Sequence, residues 1–210
     1  MTRLRITKFV LFLVALAPLA LVLWQFRHND LGPNPIEAIT HLTGNWTLIL
    51  LMATLAVTPL RMLTRQYWLV GVRRMIGLFA FFYGCLHFTT YLWLDKFFDV
   101  HEILKDIVKR PFITVGFLAF VCMIPLAITS TQGWIRRLGK NWQRLHRLVY
   151  LSAAAGVVHY IWLVKADLRE PLRYAWILAI LMFYRAAVWI RDARRSAASA
   201  RRVPAETTRA

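Results

Sequence analysis

His87 and His159 are the two residues of this chain whose type and position could do chemistry together. Each lies deep in its own hydrophobic segment, thirteen residues after Arg74 and twelve after Arg147. At the rise of an α-helix, both stand roughly 18–20 Å from the same basic border, past the midplane of a ~30 Å hydrocarbon core. Ionisable groups are costly in lipid and usually serve a site inside a helix bundle, so two imidazoles at one depth suggest a shared ligand. Neutral imidazoles suit haem iron, which needs no balancing anionic side chain. No Asp or Glu falls inside any apolar segment, which leaves a carboxylate-lined path for zinc or manganese poorly supported. Separate packing or proton-relay roles for the two histidines are the alternative.

Gly84 and Gly156 each precede a deep histidine by three residues. A helical side chain leans back over the preceding turn, so glycine there leaves a flat space for a porphyrin edge or a close neighbouring helix. His146 stands at the basic border of the His159 segment. Thirteen residues separate the two histidines, which directs them to roughly opposite helical faces. Arg73 lies fourteen residues before His87, close to its face. Arg73 and His146 could bind propionates, a flavin phosphate or a quinone head group, or simply meet lipid phosphates. His28, His41 and His101 fall on the opposite side. Asp95, Lys96 and Asp99 separate His101 from the third segment, place it in a loop and remove it as a ligand to the same cofactor. Cys85 and Cys122 form no CxxC pattern and read as packing residues.

The elements that must position these groups are membrane helices. The chain has 210 residues, 59% of them hydrophobic, with a mean hydropathy of +0.49 and a formal net charge of +17. Six apolar spans are expected near Phe9–Phe26, Leu42–Leu60, Met75–Leu94, Pro111–Thr129, Leu148–Val164 and Tyr174–Ile190. The second has a short apolar part, and Pro59 is expected to end or kink it. The basic start followed by an apolar run resembles a signal peptide, but no small-residue cleavage site follows Trp24, so it reads as the first helix. An all-α polytopic bundle follows: residues 1–190 as one six-helix transmembrane domain, residues 191–210 as a basic tail. No internal repeat, separate soluble domain or long linker is apparent.

The charges sort by connection. The first eight residues, the 61–74 and 132–147 loops and the tail from Arg185 hold nineteen Lys/Arg against Asp192 and Glu206. The other loops hold eight of each sign. The positive-inside rule therefore assigns the basic side, and with it both termini, to the cytoplasm. Topology and anionic lipid account for the charge without nucleic acid as a partner.

With these features in place, the chain resembles the MsrQ (YedZ) family, the haem-binding membrane subunits of the bacterial periplasmic protein-methionine-sulfoxide reductase system, related to ferric-reductase-like transmembrane domains. The resemblance runs over almost the whole chain. It is carried by Ile39-Thr40-His41-Leu42-Thr43-Gly44, Leu55-Ala56-Val57-Thr58-Pro59-Leu60, Arg73-Arg74-Met75-Ile76-Gly77-Leu78 and Leu86-His87-Phe88-Thr89-Thr90-Tyr91. It continues in Thr129-Ser130-Thr131-Gln132, Leu138-Gly139-Lys140-Asn141-Trp142-Gln143-Arg144-Leu145-His146 and His159-Tyr160-Ile161-Trp162. The resemblance implies haem b on His87 and His159, FMN, and room for a second haem or other cofactor near His146 and Arg73. It also implies a bacterial inner-membrane location and electron delivery to a periplasmic molybdopterin-containing reductase of the MsrP type, which repairs oxidised methionine. The third span carries no second histidine, unlike the wider two-haem superfamily, so an inner haem lacks an ordinary ligand there.

No GxGxxG or P-loop pattern appears, so the electron source must be separate: the quinone pool or a cytoplasmic flavin reductase. Catalytic reduction is then expected on the partner. Two other functions fit the residues, a ferric-reductase or cytochrome-b-like oxidoreductase with a different acceptor and a non-redox membrane scaffold or transporter.

Overall fold

The computed structural model describes residues 2–164 and 166–202. Among them the chain forms helices and no strand: α1 (Thr2–Arg27), α2 (Pro35–Thr64), α3 (Leu69–Thr90), α4 (Val100–Lys109), α5 (Pro111–Ile128), α6 (Gln132–Leu138), α7 (Lys140–Leu145), α8 (Leu148–Leu163) and α9 (Arg169–Arg202). A π-helical turn, Tyr91–Asp95, extends α3. Among the described residues, five helices are long and apolar enough to cross a membrane: 4–27, 35–64, 69–95, 111–128 and 169–198. The fifth expected span falls on α8, whose sixteen residues rise only about 24 Å. α8 is short but deeply packed, with Ser152 and Ala153 fully buried. The Ser152 hydroxyl donates to the Ala119 carbonyl of α5 at 2.9 Å.

Local chemistry sets the helix ends. Asn34 caps α2 by accepting from the Glu37 amide at 3.3 Å while its own amide donates to the Glu37 carboxylate at 3.0 Å, and Pro35 fits the first helical turn. Asp99 caps α4 in the same way through the Glu102 amide at 3.1 Å. Gly139, at φ +49°, turns the chain between α6 and α7.

Several expectations are corrected. Pro59 does not end the second span: α2 continues to Thr64. Proline lacks the N–H that would bond the Leu55 carbonyl one turn back, and Arg185 supplies a donor instead, its Nη2 lying 2.8 Å from that oxygen. His101 sits on α4 rather than in a loop, and it is exposed there. His146 caps the C-terminus of α7, one residue short of the N-cap of α8, so it does not belong to the helix that carries His159. α9 passes without a break from the sixth expected span into the basic tail as far as Arg202, and positions 203–210 lie outside the described residues.

The core is formed by α2, α3 and α8, with Leu55, Ala80, Tyr83 and Ala153 fully buried. α1 joins through the Tyr83 hydroxyl, which donates to the Ala15 carbonyl at 2.7 Å. The outer surfaces of α1 and α9 leave Phe9, Trp24, Trp176 and Phe183 exposed, the distribution expected where side chains meet lipid.

A buried ion cluster ties the π-helical turn to α4 and α5. The Asp106 carboxylate, 6% exposed, accepts from Lys96 Nζ at 2.7 Å and Arg110 Nε at 3.2 Å. The hydrogen bond from Lys96, aided by Arg110, holds the Asp106 carboxyl below the usual carboxylate range against the opposing effect of burial. A depressed folded-state pKa stabilises the fold above the ordinary carboxylate pKa, and that contribution is lost as pH falls through the folded value. Asp106→Asn should therefore cost about 2 kcal/mol at pH 7, roughly 5 °C in melting temperature, by leaving Lys96 only the more distant and exposed Asp95 carboxylate, 3.8 Å away. The gap between variant and wild type should narrow as the pH falls below the ordinary carboxylate range; equal melts at pH 7 would show the cluster to be energetically idle.

Candidate functional site

Two helical hairpins, α2 with α3 and α5 with α8, pack against each other and enclose a cavity of about 610 Å³, within the size range of ~300–1,000 Å³ typical of cofactor pockets. His87 and His159 both line it, as do Gly84 and Gly156. The two imidazole centroids lie 6.2 Å apart with their planes crossed at 74°. The equal depth inferred from spacing thus corresponds to direct apposition.

Each imidazole is held by the opposite helix of its own hairpin. His87 Nδ1 lies 3.0 Å from the Thr40 carbonyl, and His159 Nδ1 lies 2.6 Å from the Phe112 carbonyl. A carbonyl oxygen only accepts, so Nδ1 carries the proton in both rings and Nε2 keeps its lone pair. That tautomer is the one in which a histidine ligates a metal through Nε2 while its other nitrogen is anchored.

The separation fits a metal between the rings. Were both Nε2 atoms turned to one ion, two bonds of about 2 Å, with each nitrogen about 1.1 Å from its ring centre, would span about 6 Å. Among the described residues, no group of three or more His, Cys, Asp or Glu is placed to hold an ion. The pair therefore suits an ion that arrives with its remaining ligands, as iron does in a tetrapyrrole. Of the flat spaces expected beside the histidines, the one at Gly84 has only ordinary contacts, at 3.6 Å or more. A Cβ at Gly156 would meet Leu48 at 3.1 Å, which makes that glycine a helix contact as well.

Arg73 and His146 interact electrostatically at the opposite end of the bundle. His146 is stacked on Trp142, with centroids 3.8 Å apart, and its Nδ1 is buried without a hydrogen-bond partner. Burial and then the Arg73 charge push the imidazole below its ordinary range. A further member, Arg185 of α9, escaped the sequence reading. Its Nη1 donates to the Tyr150 hydroxyl at 2.8 Å, its Nε is buried and unpartnered, and its charge acts on Arg73. Because the Arg185 contacts reach Leu55 across 130 residues, only the missing N–H at Pro59 hinted that a donor was needed there.

The remaining histidines stand apart from the pair. His41, 44% exposed, lies 3.6 Å from Glu37 at the cavity mouth. His28 bonds the Trp24 carbonyl at 2.8 Å on the surface. Cys85 and Cys122 are both free.

Comparison with known proteins places this architecture. A family model described as ferric reductase like transmembrane component matches residues 43–157, the stretch that contains most of both hairpins. A protein-methionine-sulfoxide reductase heme-binding subunit MsrQ from Herminiimonas arsenicoxydans is 56% identical over 186 residues, covering 87% of this chain and 85% of the relative. Proteins of the same name from Xanthomonas campestris pv. campestris (strain 8004) and Azospira oryzae are 52% and 54% identical. The first alignment covers 92% of this chain and 91% of the relative, the second 88% and 80%. No solved structure matches the chain. The chain belongs to the MsrQ family, a multi-pass membrane family with a ferric-reductase-like core.

The two guanidiniums at the basic end should be coupled. Arg185→Gln alone should lower the melting temperature, since it removes the bond to the Leu55 carbonyl. Adding Arg73→Gln should cost more than the sum of the single changes, by on the order of 0.5–1 kcal/mol, because each single substitution already relieves the repulsion and the double can relieve it only once. Strict additivity would show that the two charges do not interact.

Proposed function

We propose that this protein is the haem b electron-transfer subunit of a periplasmic methionine-sulfoxide reductase system, with His87 and His159 as the axial ligands. The observation that carries this reading is the apposition of the two imidazoles, 6.2 Å apart, at the cavity between the hairpins. The names of the relatives, each a heme-binding subunit, support it. When bound, the haem would supply one-electron redox chemistry. The chain's own part is to hold the iron between two neutral nitrogens and to surround it with apolar side chains.

The proposed sidedness follows the charges. Six spans, α8 counted among them, put both termini and the 61–74 and 132–147 connections in the cytoplasm, and α4 faces the periplasm. Residues 1–190 form the membrane unit and 191–210 a cytoplasmic tail. The location is the bacterial inner membrane. Electrons come from the quinone pool or a cytoplasmic flavin reductase and leave to a molybdopterin-containing reductase of the MsrP type, where catalysis takes place. The inner electron-input site is the end of the bundle where Arg73 and His146 meet. FMN or a second haem is assigned there, because Arg73 and Arg185, without acidic partners among the described residues, favour a ligand carrying phosphate or carboxylate.

His87→Ala and His159→Ala should each abolish the low-spin haem spectrum, whereas His101→Ala, on α4, should retain it. Either ligand variant keeping a bis-imidazole spectrum would sink the pairing. Arg73→Ala and His146→Ala should slow haem reduction by the physiological donor, or lose a second cofactor, with the His87–His159 spectrum largely intact. Normal reduction rates with full flavin and haem content would leave these residues as membrane-border contacts. In intact cells, an impermeant thiol reagent should label a cysteine placed at Lys105 and not one at Lys140; the reverse pattern would invert the orientation.

A further inference from the structure

The contacts of His87 and His159 repeat at one interval. His87 bonds a carbonyl 47 residues earlier, and so does His159. The two histidines are 72 residues apart, and every partner follows the same shift: Thr40 and Phe112, Gly44 and Gly116, Gly84 and Gly156. Residue identity survives at few other positions, which hides the relationship from the sequence. The structure nevertheless pairs the start of α2 with the end of α3, and the start of α5 with the end of α8.

Gly44 and Gly116 occupy equivalent places, one helical turn beyond the carbonyl that each histidine uses. A Cβ at Gly44 would lie 3.1 Å from both Cε1 and Nδ1 of His87. A Cβ at Gly116 would lie 2.6 Å from His159 Nδ1 and 2.9 Å from its Cε1. Each imidazole therefore rests directly on the backbone of the facing helix. A Cβ at Gly116 forces the His159 ring to shift relative to the carbonyl that anchors it, and one at Gly44 presses on His87 by a few tenths of an ångström.

We propose that the chain contains two equivalent half-sites, 72 residues apart, in which Gly44 and Gly116 are positioning residues that fix the tautomer and tilt of His87 and His159. The inference rests on the reading of these histidines as haem ligands and assigns the glycines a role within it. Donation from Nδ1–H to a carbonyl makes the imidazole a stronger electron donor through Nε2, which favours the oxidised metal. Weakening either bond should move the midpoint potential in the positive direction. The half-sites are unequal. Phe112 also packs its ring against His159, at 6.2 Å between centroids, while the Thr40 hydroxyl donates to the Ile36 carbonyl at 2.8 Å and lies 3.3 Å from the Thr90 hydroxyl. With the shorter contact at Gly116, the His159 side should be the more sensitive.

The test uses the full-length, haem-loaded protein with Gly44→Ala and Gly116→Ala, and Gly77→Ala as a control. A Cβ at Gly77 meets only Thr54, at 3.6 Å. Haem content, low-spin electron paramagnetic resonance and midpoint potential are the readouts. Gly116→Ala should shift the low-spin signal and raise the potential, Gly44→Ala should do so less, and Gly77→Ala should match wild type. Unchanged signals and potentials in both variants would overturn the proposal. If Gly116→Ala does not accumulate, nitrogen-15 resonances of labelled histidine in the full-length wild-type chain decide the matter. Protonation at Nδ1 in both residues supports the half-sites, and protonation at Nε2 in either overturns them. A wild-type protein that takes up no haem would refute the haem assignment, while the labelled-histidine measurement on the same chain would still judge the anchoring.

Discussion

The hydrogen bond from each deep imidazole to a backbone carbonyl is the interaction on which the rest of the site depends. A histidine in an apolar bundle must satisfy its N–H or bear the cost of an unpaired polar group. A helical carbonyl is normally engaged with the amide four residues on, so an additional donor must approach it from the side, close to the helix axis. Glycine in the next turn allows that approach, at Gly44 for His87 and at Gly116 for His159. From this follow the close packing of α2 on α3 and of α5 on α8, and the position of the cavity between the two hairpins.

The two ends of the bundle divide the charge differently. On the α4 side, Lys96 and Arg110 converge on the Asp106 carboxylate, so burial and charge are balanced. On the other side Arg73, Arg185 and His146 gather with their polar atoms only partly matched, Arg185 by the Leu55 carbonyl and the Tyr150 hydroxyl. The first arrangement closes a loop. The second leaves donors available for an anion, which is why the proposed electron input is located there and the output near α4.

Much of this was legible in the sequence because membrane helices announce themselves by length and apolarity, and paired histidines by depth. The helical class and the shared depth of His87 and His159 follow from those features, whereas the family was legible only in the ordered motifs, such as Leu86–Tyr91 and Leu138–His146, that resemble it. Pro59 misled because local propensity ends a helix there, whereas Arg185, 130 residues from Leu55, supplies the donor that lets α2 continue. The fifth expected span, Leu148–Val164, coincides with α8 to within one residue, though at sixteen residues it is the shortest of the six and is sheltered by its neighbours. The half-sites stayed hidden because backbone carbonyls have no sequence signature. The signal was nevertheless present, in glycines repeated at the interval that separates the two histidines.

The most direct test of the central claim is the absorption and electron paramagnetic resonance spectrum of the wild-type protein purified from haem-replete cells. The account expects a Soret band that sharpens and shifts on reduction by dithionite, together with a low-spin ferric signal from two imidazole ligands. A colourless protein, or haem in a purely high-spin, single-imidazole state, would contradict it.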